Sequence, residues 1–165
     1  MSGTSVGWRV FAGVAVASLA AVGAALVSQH GFGMQPCPWC VLQRVIFLGV
    51  AAACVIGLLW RSAAGRAIAG GVALLLALCG VAAALWQHFE AAASASCNLT
   101  LADKIVSGWL GLDSLLPDVF SARASCADAA VKLFGVPYDF WSVALFAALA
   151  IALLRTLRRP LGAGH

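Results

Sequence analysis

Six cysteines stand at positions 37, 40, 54, 79, 97 and 126, and two of them form the run Cys37-Pro38-Trp39-Cys40. A Cys-x-x-Cys at a helix N-terminus is suited to thiol–disulfide chemistry. Unpaired backbone N–H groups and the helix dipole favour a thiolate there. Pro38 is compatible with the first helical position. A stabilised thiolate lets one sulfur attack and the other leave. The competing roles are a permanent disulfide and half of a zinc site. A four-cysteine zinc site would pair this run with another close cysteine pair, whereas 28 residues separate Cys97 from Cys126. Redox activity without a metal is therefore expected. Cys97 and Cys126 can also pair, closing a loop worth ~3 kcal/mol by chain entropy. Two dithiols on one face can instead exchange electrons with each other.

Arg44 lies four residues after Cys40 and on a helix shares its face, about one turn deeper. An arginine inside a membrane is costly and marks a functional site by default. It can stabilise a thiolate or a reduced, anionic ring oxygen. The alternative is a side chain that snorkels to the interface. His88 is a candidate hydrogen-bond partner for a bound cofactor. His30 is assigned to a loop, and Asp139 is a residue compatible with the dipole of a helix start. Cys54 and Cys79 are expected to pack as small hydrophobes.

The elements that must position these groups follow from composition. Of 165 residues, 63% are apolar and 10% charged, and the mean hydropathy is +1.00. Soluble domains carry roughly 25% charged residues, so a water-soluble globule is excluded, and so is a disordered chain. Five prolines and one tyrosine argue against a β-barrel with aromatic girdles. Four stretches, 10–29, 41–60, 67–87 and 134–154, are long and apolar enough to cross ~30 Å of hydrocarbon. Backbone groups in lipid must be satisfied internally, so each is expected to be a helix. The first exceeds the usual apolar run of a cleaved signal peptide and is expected to stay.

The expected fold is thus an all-α integral membrane protein, a single four-helix domain over 1–165. One side carries Arg9, Arg61, Arg66, Arg155, Arg158 and Arg159 and no acid. The other carries Arg44, Lys104, Arg123 and Lys132 against Glu90, Asp103, Asp113, Asp118, Asp128 and Asp139. The positive-inside rule then places both termini in the cytoplasm. The basic pI reflects topology and not nucleic-acid binding. Cys37, Cys40, Cys97 and Cys126 all fall on the opposite side, where disulfides persist. That side has a short loop around Gln35–Trp39 and a long one over about 90–135. The segment 99–112, with Trp109, Leu110 and Leu112, is either a short amphipathic interfacial element or a loop collapsed on its own apolar residues.

At Cys37-Pro-Trp-Cys-Val-Leu-Gln-Arg44 the chain resembles the disulfide-bond formation protein B (DsbB) family, bacterial inner-membrane thiol oxidases that draw oxidising power from quinones. Trp86-Gln-His88, the loop with Cys97 and Cys126, Leu116-Pro-Asp-Val-Phe120, and Pro137 followed by Trp141 extend the resemblance over nearly the whole chain. The interval from His88 to Cys97 is shorter than the family's.

The resemblance implies disulfides Cys37–Cys40 and Cys97–Cys126. A reduced periplasmic partner resembling DsbA would attack Cys97. Cys126 would then attack Cys37 to give a transient Cys37–Cys126 bond, and the freed Cys40 would face ubiquinone or menaquinone. Arg44 would polarise that quinone, with His88 near it. The chain carries no glycine-rich nucleotide or flavin fingerprint, and a lipid-soluble acceptor needs none. Two rivals differ in kind. A vitamin K epoxide reductase-like enzyme would place its Cys-x-x-Cys after the loop pair. A disulfide-stapled scaffold would exchange with no external dithiol and would not depend on Arg44.

Overall fold

The structure is a computed structural model that describes residues 2–60, 62–91, 101–125, 127, 132–133 and 135–158. Four helices are long and apolar enough to cross a membrane: α1 (Ser2–Phe32), α2 (Pro38–Leu59), α3 (Ala63–Trp86) and α7 (Tyr138–Arg158). They form an all-α multi-pass membrane bundle. Between α3 and α7 lie the short helices α4 (Leu101–Asp103), α5 (Leu112–Leu115) and α6 (Pro117–Phe120), and the strands β1 (Lys132–Leu133) and β2 (Val136–Pro137).

Local chemistry sets the helix ends. Gly33, at φ +67°, turns the chain after α1, and the Met34 N–H reaches back to the Ser28 carbonyl at 3.2 Å. Ser62 caps α3, its hydroxyl accepting the Gly65 N–H at 3.0 Å. Helix α3 therefore starts at Ala63, earlier than the 67 expected, and Arg66 belongs to its first turns, not to a loop. Helix α1 runs past its expected end, so His30 is helical, its ring bonded to the Leu26 carbonyl at 3.0 Å. Helix α7 starts at Tyr138 and not at 134. Before it, β1 and β2 pair antiparallel, Leu133 opposite Val136, around Gly135 at φ +81°. A hairpin turn of that hand uses the residue type that tolerates positive φ.

Helix α2 packs against α1 and α3, α3 against α7, and a lighter α1–α7 contact closes the ring. Small residues let the helices approach, as packing in lipid requires. Gly70 faces Phe11 and Leu157, and Gly57 faces Phe11 and Ala69. Gly80 lies under Phe146, whose ring stacks on Phe47 with centroids 3.8 Å apart and planes 7° from parallel. That pair fills the bundle centre between α2 and α7. Cys54 is fully buried in the same core. Cys79, expected to pack, is instead exposed on the outer surface of α3, because its turn of the helix faces away from the neighbours. Val16, Leu19, Ile56, Leu75 and Ile151 are also exposed, the surface that lipid would cover.

The antiparallel ring separates two ends. Gly7 meets Thr156, and Gly70 meets Leu157, which gathers Arg9, Arg66 and Arg158 at one end. The C-terminus of α1, the start of α2, the end of α3 and the start of α7 meet at the other. Around α4, Ala102 and Val106 are buried while Leu101 and Trp109 are exposed, so this segment is helical with one covered face.

Gly80→Val would push a branched side chain into the Phe146 ring. It is expected to destabilise the bundle by about 1–3 kcal/mol, read as earlier loss of helical signal on denaturant titration in detergent. Gly71→Ala, where a Cβ meets nothing within 4 Å, is expected not to destabilise and to gain up to about 1 kcal/mol from helix propensity, read in the same titration.

Candidate active site

Cys37 is the N-cap of α2, with φ −85° and ψ 167°, and Pro38 opens the helix. The first N–H groups of a helix lack intrahelical acceptors. The Cys37 sulfur satisfies one of them by accepting the Cys40 N–H at 3.2 Å. The two sulfurs lie 2.6 Å apart, so an S–S bond between them forms or breaks by side-chain adjustment alone. Their exposures differ. Cys37 is 0% exposed, whereas Cys40 is half-buried. Trp39 between them packs against Trp86 of α3, ring centroids 6.4 Å apart.

One turn deeper, Arg44 is 5% exposed. It does not snorkel. Its Nη1 donates to Gln29 Oε1 of α1 at 2.7 Å and to the Val119 carbonyl of α6 at 2.8 Å. Gln29 in turn donates from Nε2 to the Asp118 carbonyl at 3.1 Å. A cation and an amide inside the bundle thus hold the backbone of α6. A few residues on, the Arg123 and Ala124 N–H groups donate to the Pro36 carbonyl, at 3.0 and 3.3 Å. The segment that leads towards Cys126 is thereby fastened beside Cys37. Cys97 and Cys126 themselves, with their expected pairing, lie outside the described residues.

A second buried network lies on the opposite flank of Cys40. Gln43 Nε2 donates to Gln87 Oε1 at 2.7 Å. Gln87 Nε2 lies 2.5 Å from Asp139 Oδ1 and 3.3 Å from Cys40 Sγ. Asp139 Oδ2 faces His88 Nδ1 at 3.4 Å. Gln87 and His88 sit in a wider, π-type turn, Gln87–Ala91, that continues α3; such turns re-aim side chains at functional sites. Asp139 is therefore more than a residue compatible with a helix start: it is 5% exposed and joins α7 to α3.

Between α1, α2 and α7 a cavity of about 260 Å³ opens onto Cys40, Gln43 and Arg44. Ala25, Phe47, Tyr138 and Trp141 supply much of the remaining wall. A cavity of ~150 Å³ holds benzene, so this one has room for a substituted six-membered ring, with a thiol and a cation at its polar end. His88 does not line it; its ring lies against Phe140 at 4.6 Å and Phe89 at 5.0 Å. Among the described residues no group of histidines, cysteines and acids could hold a metal ion. Residue spacing brought Cys37, Cys40 and Arg44 together. It gave Asp139 only a helix-start role and gave none to Gln29, Gln43 and Gln87, although Gln43 and Gln87 lie within the runs that carry the family resemblance.

A dithiol capping a membrane helix, beside a slot with a buried cation, defines a membrane-embedded thiol oxidoreductase. The family model "Disulfide bond formation protein DsbB" matches residues 8–156. The chain is 34% identical over 151 residues to a disulfide bond formation protein B of Ralstonia nicotianae, covering 88% of this chain and 93% of that one. With its counterpart in Pseudomonas syringae pv. tomato it is 32% identical over 148 residues, 86% of each chain. The chain belongs to the DsbB family, and its work lies in disulfide bond formation.

Arg44→Met would leave Gln29 Oε1 and the Val119 carbonyl without their donor, at about 1–3 kcal/mol for each buried group. Release of α6 is expected to speed limited proteolysis after Arg123 several-fold, measured by mass spectrometry of the cleaved chain.

Proposed function

We propose that the protein oxidises a periplasmic dithiol oxidase resembling DsbA and passes the electron pair to a membrane quinone, so sustaining disulfide formation in secreted proteins. It lies in the bacterial inner membrane with Cys37 and Cys40 at the periplasmic face and both termini in the cytoplasm. The observation that carries this reading is the division of labour within the pair. The Cys40 sulfur opens onto the slot beside Arg44, while Cys37 is wholly buried behind it.

An external protein thiol has no path to a wholly buried sulfur. The loop cysteines therefore act as the intermediary. A partner thiolate attacks Cys97, the Cys97–Cys126 bond breaks, and a mixed disulfide forms on Cys97. The partner's second thiol resolves that mixed disulfide and leaves with its own S–S bond. The Cys126 thiolate attacks Cys37, and the electron pair of the broken Cys37–Cys40 bond stays on Cys40. Arg123 and Ala124, just before Cys126 in the chain, are fastened to Pro36, just before Cys37, which supports exchange between these two cysteines. A quinone bound in the slot would supply a two-electron, two-proton acceptor. Arg44 and Cys40 would hold it: the guanidinium faces the polar end of the slot and favours negative charge developing there. The Cys97 thiolate then attacks Cys126, which breaks the Cys37–Cys126 bond, restores Cys97–Cys126 and releases Cys37 as a thiol. Oxidation of the Cys37 and Cys40 thiols back to their disulfide gives up two electrons and two protons, the ones the partner brought, and these would leave as quinol.

The purified protein in lipid, given a quinone and a reduced periplasmic dithiol oxidase, is expected to form one quinol per disulfide. Cys40→Ser should abolish quinone reduction, and normal turnover in that variant defeats the mechanism. Cys97→Ala should prevent the mixed disulfide and Cys126→Ala should accumulate it on non-reducing gels. Arg44→Ala should raise the quinone concentration needed for half-maximal rate by tenfold or more, the loss of about one charge-assisted hydrogen bond.

A further inference from the structure

Gln87 is buried and bonded at both ends of its amide. Its oxygen accepts from Gln43 Nε2, and its nitrogen lies within reach of both Asp139 Oδ1 and Cys40 Sγ. An amide nitrogen carries two N–H donors, and an ionised carboxylate only accepts. Asp139 therefore decides which way the amide points. Turned over, Gln87 would set its oxygen against the Asp139 oxygen, two acceptors facing each other away from water, which is penalised heavily. With one N–H committed to Asp139, the other is aimed at the Cys40 sulfur.

We propose that Gln87 is the hydrogen-bond donor that holds Cys40 as a thiolate, and that Asp139 is the positioning residue that keeps Gln87 in the donating orientation. The proton of the Cys40 S–H passes to water, and the charge left on sulfur is met by the Gln87 N–H. A hydrogen bond offered to the charged form favours that form. This deepens the reading of Cys40 as the sulfur that faces the acceptor, and rests on it. Among the described residues, the charged or titratable groups around the sulfur include Cys37 and Arg44 on α2, His88 in the turn after α3, and Tyr138 and Asp139 on α7. Helix α1 brings the uncharged Ser28 and Gln29 to this end. His88, half-buried at the rim, faces the second Asp139 oxygen at 3.4 Å, so each oxygen of Asp139 has a side-chain nitrogen in reach.

The test uses the fully reduced, full-length protein in lipid nanodiscs, with neither partner nor quinone. Brief iodoacetamide pulses across a pH series are followed by mass spectrometry of the Cys40 peptide. Gln87→Met, which keeps the side-chain size but removes the donor, should move the Cys40 alkylation profile towards alkaline pH by about one unit, roughly tenfold slower labelling at neutral pH. Gln43→Met, which frees only the far end of the amide, should move it the same way by less, and serves equally if the Gln87 variant does not fold. In an Asp139→Asn background, Gln87→Met should add less than half of its original shift, the non-additivity expected of one unit. An unmoved profile in both glutamine variants overturns the donor role. A full-sized Gln87→Met shift without Asp139 overturns the positioning role. Neither result bears on quinol formation, so a failure here is distinct from a failure of the proposed activity.

Discussion

Polar groups inside a membrane bundle have no water to fall back on, and each one left unpaired costs several kcal/mol. This protein buries an arginine, a carboxylate and three glutamines at one end of its helices. Each must find its partner across a helix boundary. The bonds that result run from α2 to α1 and α6 through Arg44, and from α2 to α3 and α7 through Gln43, Gln87 and Asp139. Satisfying those groups fixes how the four helices meet where the thiols sit.

Cys40 lies between these two networks. On one flank stands a cation whose bonds reach the backbone of the loop helix α6; on the other stands an amide held by a carboxylate. The remaining face of the sulfur opens to the slot between α1 and α7. Cys37 has a different setting: it is wholly buried and caps its own helix. Two sulfurs three residues apart thus have unequal access, and unequal access gives a dithiol its direction.

Below the polar end the bundle is built from small residues and rings. Glycines at 57, 70 and 80 admit Phe11 and Phe146, and the Phe47–Phe146 stack closes the centre. Apolar packing alone would allow neighbouring helices to slide or rotate, since lipid solvates an apolar face as well as another helix does. The polar end removes that freedom, because a displaced glutamine or arginine loses specific partners.

Much of this architecture was legible without coordinates. Hydropathy alone marks four spans, since a backbone crossing lipid must bond to itself, and the Cys-x-x-Cys stands where the second of them begins. The interval of four residues puts Arg44 on the Cys40 face by helical geometry. Cap chemistry at Ser62, the turn at Gly135 and the outward face of Cys79 shifted the details. The glutamines were a different matter. Gln43 meets Gln87 across 44 positions, and Gln87 meets Asp139 across 52. Gln43 and Gln87 stand inside runs that carry the family resemblance, but nothing along the chain says that the two meet. Composition and spacing determined the spans and the thiol pair with its arginine, because those depend on neighbours along the chain. Only the tertiary structure decided what holds them, because hydrogen-bond partners on different helices are chosen by packing.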